Sequence, residues 1–306
     1  MQATSTLSVF VLLVTAGLAV ADTRGLFALP NTNPDLSACA SQASVFSCEN
    51  TSAILDTCCS PTPGGLVLST QFWSTWTGLE REGQFLPKDS WTLHGLWPDN
   101  CDGSFASYCD AKRQFDPKPD SSTTLPPYTG PGVDTFIVDF GRLDLLDYME
   151  KYWINQGAPN KNFWAHEFSK HATCTSTFDV ACYGKDYKEH QDVINFYDAA
   201  IRAFKQYPTF DMLASFGIVP SNKTTYSLSQ IQNALKSQTG ALPFLGCTTN
   251  GTVLSEVWYF NHVFGTEQFG AFKHLDTTTP SSCSSTAPIR YLERTATSER
   301  EVRISL

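Results

Sequence analysis

The chain has 306 residues, 42% hydrophobic and 13% aromatic, enough for a sizeable core in one large domain or two small ones. A net charge of −9 argues against tight, non-specific duplex binding, which needs a broad basic face. It leaves room for an enzyme that holds a polyanion briefly at a small local site. Beyond residue 21 no stretch is apolar enough to cross a bilayer.

In chain order, the first element is the uncharged run LSVFVLLVTAGLAVA, closed by the small-x-small pattern Ala19-Val20-Ala21. Residues 1–21 read as a secretory signal peptide, although MQATST carries no Lys or Arg and leaves the positive charge to the α-amine. All ten cysteines lie after it, at 39, 48, 58, 59, 101, 109, 174, 182, 247 and 283. An even count in a secreted chain suggests five disulfides, and the absence of a CxxC pair disfavours a zinc ribbon. Sequons at Asn50, Asn222 and Asn250 could carry glycans.

Residues 22–60 are Ser/Ala/Asn-rich with four cysteines, and read as a disulfide-tied segment. GGLVLSTQFW (64–73) and WTLHGLW (91–97) predict strands, rich in β-branched and aromatic residues. Residues 111–132 hold five prolines and predict a surface loop. In 190–206, Val193, Phe196, Tyr197, Ala200, Ile201 and Phe204 recur at helical spacing, and Leu228, Ile231 and Leu235 suggest another helix. SEVWYFNHVFG (255–265) and QFGAFKHLD (268–276) predict two strands around a turn. Strands and helices mix without βαβ regularity, so the expected class is α+β, with a central, mainly antiparallel sheet flanked by helices and stapled by disulfides. After Cys283, interleaved Arg and Glu predict an exposed or disordered tail over 286–306.

FWAHEFSKHATC (163–174) raises three readings: metal site, acid–base site, or the polar side of an ordinary helix. A zinc-protease helix needs histidines at i and i+4. Here His166 and His171 are at i and i+5, which on a helix turns the second ring roughly 140° from the first. The pairs that share a face are Glu167 with His171, and His166 with Lys170. A carboxylate one turn before a histidine can orient the ring and raise its pKa, and a Lys beside a His favours an anion. The bland alternative is a surface pair worth a few tenths of a kcal/mol. In WTLHGLWPDNCDG (91–103), His94 ends a hydrophobic strand beside Trp97 and Asp99, a combination suited to stacking a flat ring and bonding its edge.

WTLHGLWPDN and FWAHEFSKHATC together resemble the two active-site segments of the ribonuclease T2 family, over about residues 35–285, and the cysteine layout is similar to that of its secreted fungal members. The resemblance implies a metal-independent endoribonuclease that needs no cofactor. It would cut single-stranded RNA with low base specificity, through a 2′,3′-cyclic phosphate to 3′-phosphate ends. It implies His171 as general base, His94 as general acid, and Glu167 and Lys170 stabilising the transition state, with His166 holding phosphate. Trp97, Asp99 and Phe105 would form a first base site, Phe105 standing where tyrosine is frequent. Phe163, Asn155, Gln156 and Gln71 would form a second. The implied disulfides are 39–59, 48–101, 58–182, 109–174 and 247–283. The expected organisation is a signal peptide (1–21), one catalytic domain (22–285) and the tail. The product would be a secreted or vacuolar monomer with RNA as its partner and no obligate protein partner. His190, His262 and His274 match no motif. The rival readings are a secreted binding protein that uses the fold without cleavage, and a metal-dependent nuclease or protease.

Overall fold

The computed structural model describes residues 39, 45–49, 54 and 56–300, so the expected signal peptide and Asn50 lie outside the described residues. β1 (Leu66–Phe72) carries alternating side chains to two packed faces of a sheet. β2 (Leu86–Pro87) and β3 (Thr92–Asp99) follow, then α1 (Val133–Asp139), α2 (Leu143–Tyr152) and α3 (Asn160–Lys170). A series of 3-10 turns leads to α4 (Gln191–Gln206), α5 (Thr209–Ala214), β4 (Thr225–Tyr226) and α6 (Leu228–Thr239). The chain continues through β5 (Phe244–Thr248), β6 (Val253–Phe264), β7 (Ala271–Leu275), β8 (Ile289–Arg290) and β9 (Glu299–Arg300). The strands predicted at 64–73, 91–97, 255–265 and 268–276 and the helices at 190–206 and 228–235 all form. Neither α1 nor α2 is foreseen from the sequence.

The sheet is mixed and mainly antiparallel. β3, β1 and β6 run antiparallel side by side, and β6 also pairs antiparallel with β5 and β7. Among the described residues, only the β6–β8 pairing in this sheet is parallel. One face is covered by helices. Val67, Leu93 and Leu96 pack there with Trp164, Phe168, Phe196 and Tyr197 from α3 and α4. The opposite face presents Leu68, Trp97, Phe244, Trp258 and Phe260.

A bulge in β3 positions the site. Thr70 pairs with Gly95 and Gln71 with Leu93, so His94 has no partner on β1. Regular alternation would put His94 and Trp97 on opposite faces. With the extra residue, the His94 ring stacks on Phe72 (centroids 3.7 Å apart) and meets Trp97 edge-on at 4.6 Å.

Five disulfides join Cys39–Cys59, Cys48–Cys101, Cys58–Cys182, Cys109–Cys174 and Cys247–Cys283. Two end beside the site: Cys101 follows β3, and Cys174 closes the turn after α3.

Two expectations need correction. Residues 286–300 of the tail are folded, not exposed or disordered. Ile289 and Tyr291 are fully buried, and β9 pairs with β2. Tyr291 accepts a 2.9 Å hydrogen bond from Trp91 Nε1–H and meets Trp73 edge-on. Arg294 lies over the Trp73 ring and donates to the carbonyls of Ser74, Pro87 and Ser90. A few apolar side chains fill a core slot, and a stacked guanidinium satisfies loop carbonyls, so low apolar content does not mean exposure. Segment 111–132 is also more than surface: Arg113, Phe115 and Asp116 are buried, with Arg113 bonded to Asp110, Asp179 and Asp192.

Candidate active site

α3 delivers the chemistry because its apolar and polar residues face different neighbours. Trp164, Ala165 and Phe168 anchor it in the core, and Trp164 Nε1–H donates to the Trp153 carbonyl. Glu167 is thereby driven against β3, where it is fully buried. Its Oε1 lies 3.5 Å from His94 Nε2, and its Oε2 lies 3.8 Å from His171 Nε2. Trp97 Nε1–H donates to the same Oε2 at 2.8 Å. Gly95 makes this approach physically feasible, since a Cβ there would overlap Glu167 Oε2. Trp153 Nε1–H holds the His94 carbonyl at 2.8 Å.

Burial dominates the electrostatics. It pushes the Glu167 carboxyl up to about 7, against the downward pull of His166, Trp97 and Lys170. It holds His94 and His171 well below the ordinary histidine value, and the nearby cations Lys170 and His166 add to this. The rise expected for His171 from its neighbouring carboxylate is therefore corrected: the ring loses more by leaving water than the carboxylate returns. His166 differs. Burial pulls it down too, but its Nδ1 lies 2.7 Å from Asp116 Oδ2, and this bond with the Glu167 charge leaves it raised. Lys170 Nζ pairs with Asp120 Oδ2 at 2.7 Å.

The helical count also needs correction. His171 caps α3 where a 3-10 turn starts, its N–H still bonded to the Glu167 carbonyl, and its ring centroid lies 6.4 Å from that of His166 despite the helical rotation. Ligand atoms of His166, Glu167 and His171 lie within 4.8 Å of one another.

The residues expected at the two base sites separate into two groups and one outlier. Trp97, Asp99 and Phe105 gather at the end of β3, where Asp99 and Phe105 form a backbone bridge. Burial raises Asp99 to about 7. One face of Trp97 is covered by the stacked His171 ring at 5.0 Å, while Phe105 is 71% exposed. Phe163, Asn155 and Gln156 line a cavity of about 510 Å³ together with Phe72, Trp76 and Glu256. Phe72 joins this cavity to the His94–Glu167–His171 cluster through its stack on His94. Gln71 belongs to neither group, which corrects its expected role. It points to the helix-covered face, fully buried, donating to the Tyr207 carbonyl and accepting from Thr209. Strand alternation puts it opposite Phe72.

Sequence reasoning missed Tyr108, Asp116 and Asp120, which hold His166 and Lys170 from the proline-rich side. Tyr108 Oη–H donates to Asp116 Oδ2 at 2.9 Å. It also missed Phe72, Trp258 and Glu256. The acidic spacing in QFDPKPD was the available signal for the aspartates. His190, His262 and His274 bond or stack elsewhere, with Phe136, Glu49 and the Phe260 carbonyl. Asn222 and Asn250 are exposed. None of the helices among the described residues is long and apolar enough to cross a membrane.

The model of the ribonuclease T2 family matches residues 64–289. The chain is 38% identical over 250 residues to ribonuclease T2 of Aspergillus oryzae, covering 81% of this chain and 82% of that protein. It is 40% identical over 243 residues to ribonuclease Trv of Hypocrea rufa, covering 79% and 92%. The crystal structure of Actibind, a T2 ribonuclease, superposes with a TM-score of 0.69 at 32% identity, covering 82% of this chain and 96% of that one. The chain therefore belongs to the ribonuclease T2 family and is an enzyme of that family.

Proposed function

We propose that this enzyme is a secreted endoribonuclease that cleaves single-stranded RNA without a metal, through a 2′,3′-cyclic phosphate to 3′-phosphate ends, with low base specificity. The observation that carries this reading is the pair of imidazoles, His94 and His171, flanking one buried carboxylate at 3.5 and 3.8 Å. RNA brings its own nucleophile, so the protein needs two proton-transfer groups and cations for the charge on phosphorus.

His171, held neutral by burial, takes the proton of the 2′-hydroxyl as its oxygen attacks phosphorus. The bond from phosphorus to the 5′-oxygen breaks, and His94 supplies the proton to that leaving oxygen. Burial disfavours the imidazolium His94 needs; the bound phosphodiester and Glu167 offset this. His166, held cationic by Asp116, and Lys170 face the phosphate charge. Water then opens the cyclic phosphate with the two histidines exchanging roles. The base groups lie at Trp97, Asp99 and Phe105, and at Phe163, Asn155 and Gln156. Stacking on rings tolerates any base, which suits low specificity. Cleavage of the signal peptide, glycans at the sequons and a monomeric state complete this reading.

The experiment is incubation with RNA in EDTA at mildly acidic pH, with analysis of the new termini. Cyclic or 3′-phosphate ends are expected. Activity that disappears in EDTA, or 5′-phosphate ends, would favour an ion held by His166, Glu167 and His171 and overturn the metal-free scheme. Tight RNA binding without cleavage would favour the binding-protein reading.

A further inference from the structure

One carboxylate beside the catalytic centre has no part in the proton transfers. Glu256 lies on β6 opposite Phe72 of β1 and lines the 510 Å³ cavity. Its Oε2 accepts a 2.9 Å hydrogen bond from Trp258 Nε1–H. Among the described residues no other side chain bonds to it. A half-buried anion near a phosphate-binding centre is unfavourable unless something with N–H donors meets it.

The other polar groups of the cavity sharpen the chemistry. Gln156 Nε2–H donates to the Trp76 carbonyl and Asn155 Nδ2–H to the Pro159 carbonyl, each at 3.2 Å. Asn155 Oδ1 accepts from the Gln156 backbone N–H at 2.8 Å. One of the two N–H donors of each amide is thus engaged within the protein. Beside the hydroxyls of the lining, the carboxylate and amide oxygens left over, Glu256 Oε1 and Gln156 Oε1, are acceptors. Phe72, Phe163 and Trp76, the last 49% exposed, provide ring faces for stacking. The volume accommodates a purine.

We propose that Glu256 makes this cavity selective for a base that presents N–H donors, guanine above all, and against uracil. The inference rests on the ribonuclease reading of the same site. Guanine offers N1–H and an adjacent exocyclic amine. Adenine and cytosine offer one exocyclic amine each. Uracil offers one N–H between two carbonyl oxygens, which the carboxylate repels. Burial leaves the Glu256 carboxyl above the ordinary carboxylate value, and the Trp258 indole N–H offsets part of that rise in favour of the accepting carboxylate.

The test measures kcat/KM at pH 7 for dinucleoside monophosphates with each base varied on each side of the phosphate. A hydrogen bond to a charged group predicts about tenfold preference for guanine over uracil at one of the two positions. Glu256→Gln keeps the size and an acceptor for Trp258. It is expected to reduce that preference to about twofold, by weakening guanine substrates and relieving the repulsion of uracil, with Tm nearly unchanged, because the neutral acceptor is the weaker one. A purely structural Glu256 would lower all substrates equally and lower Tm. Calorimetric titration of the unaltered enzyme with guanosine and uridine 5′-monophosphates gives a second readout that depends on neither the variant nor catalysis. Equal affinities, or a preference unchanged in Glu256→Gln, would overturn the inference while leaving the ribonuclease reading intact. Tighter guanosine monophosphate binding with no RNA cleavage would leave the inference standing and reject that reading.

Discussion

The indole N–H of Trp97 donates to Glu167 Oε2 over 2.8 Å, joining β3 to α3 through the carboxylate that lies between His94 and His171. The bond fixes the carboxylate plane, so that Oε1 is left toward His94 while Oε2 lies toward His171. Trp97 therefore positions Glu167 as much as it offers a surface to a base. The consequences can be measured.

His94→Ala and His171→Ala should each lower kcat for RNA by about 10³-fold or more, since each removes one proton-transfer group. Steady-state cleavage of a homopolymer, with circular dichroism to confirm folding, checks this. Near-normal activity in either variant would reject the two-histidine scheme.

Glu167 should make stability fall as pH rises. Its carboxyl is raised from 4.5 to about 7, so the folded chain keeps a proton that the unfolded chain releases. That contribution is fully present below pH 4.5 and lost as pH rises to about 7, roughly 3 kcal/mol in all. His94 and His171 work in the opposite sense: their lowered values give stability that is present above 6.5 and lost on acidification. Urea unfolding of the wild type and Glu167→Gln between pH 4.5 and 7 isolates the first effect. The wild-type advantage should shrink by roughly 3 kcal/mol, and a pH-independent difference would refute the assignment.

Gly95→Ala should damage catalysis through Glu167. The added methyl would overlap Glu167 Oε2 and lie 2.7 Å from Trp97 Nε1. A displacement on the order of 1 Å at the shared carboxylate should cost about 10²-fold in kcat. Loss of the Trp97–Glu167 bond should appear as a shifted indole N–H resonance in NMR spectra. An unshifted resonance with full activity would be the contrary result.

Asp116→Asn should weaken His166 as a cation. Losing the 2.7 Å partner lowers its pKa, so less of it is charged near neutrality. NMR titration should show that shift, and KM for RNA should rise more than kcat falls. An unchanged His166 titration would mean that another group sustains its charge.

Tyr291→Ala should lower stability by about 3–5 kcal/mol, the range for deleting a buried aromatic ring. Tyr291 is fully buried and accepts from Trp91 Nε1–H. Thermal melts would show the loss as a fall in Tm of about 10 °C. A Tm within about 2 °C of wild type would restore the exposed-tail expectation.

Which elements form was largely legible in the sequence, because periodicity is a local property. The runs that became β1, β3, β6 and α4 announce themselves by alternation or helical spacing. Helices α1 and α2 did not, being short and close to a proline-rich stretch. Glu167 and His171 were also legible as a pair, since one helical turn fixes their separation.

What only the tertiary structure decided is how the groups meet and how water is excluded from them. The bulge at His94 turns that ring onto the face of Trp97, against the strand's own alternation. The core contacts of Trp164 and Phe168 press Glu167 into a dry position, so burial sets its proton affinity and those of both histidines. Gln71 and Phe72 are neighbours in sequence, yet the pleat sends one into the core and the other onto the His94 ring. Local spacing carries residue types and periods. Desolvation and long-range contacts belong to the folded chain alone, and these decide which side chains meet.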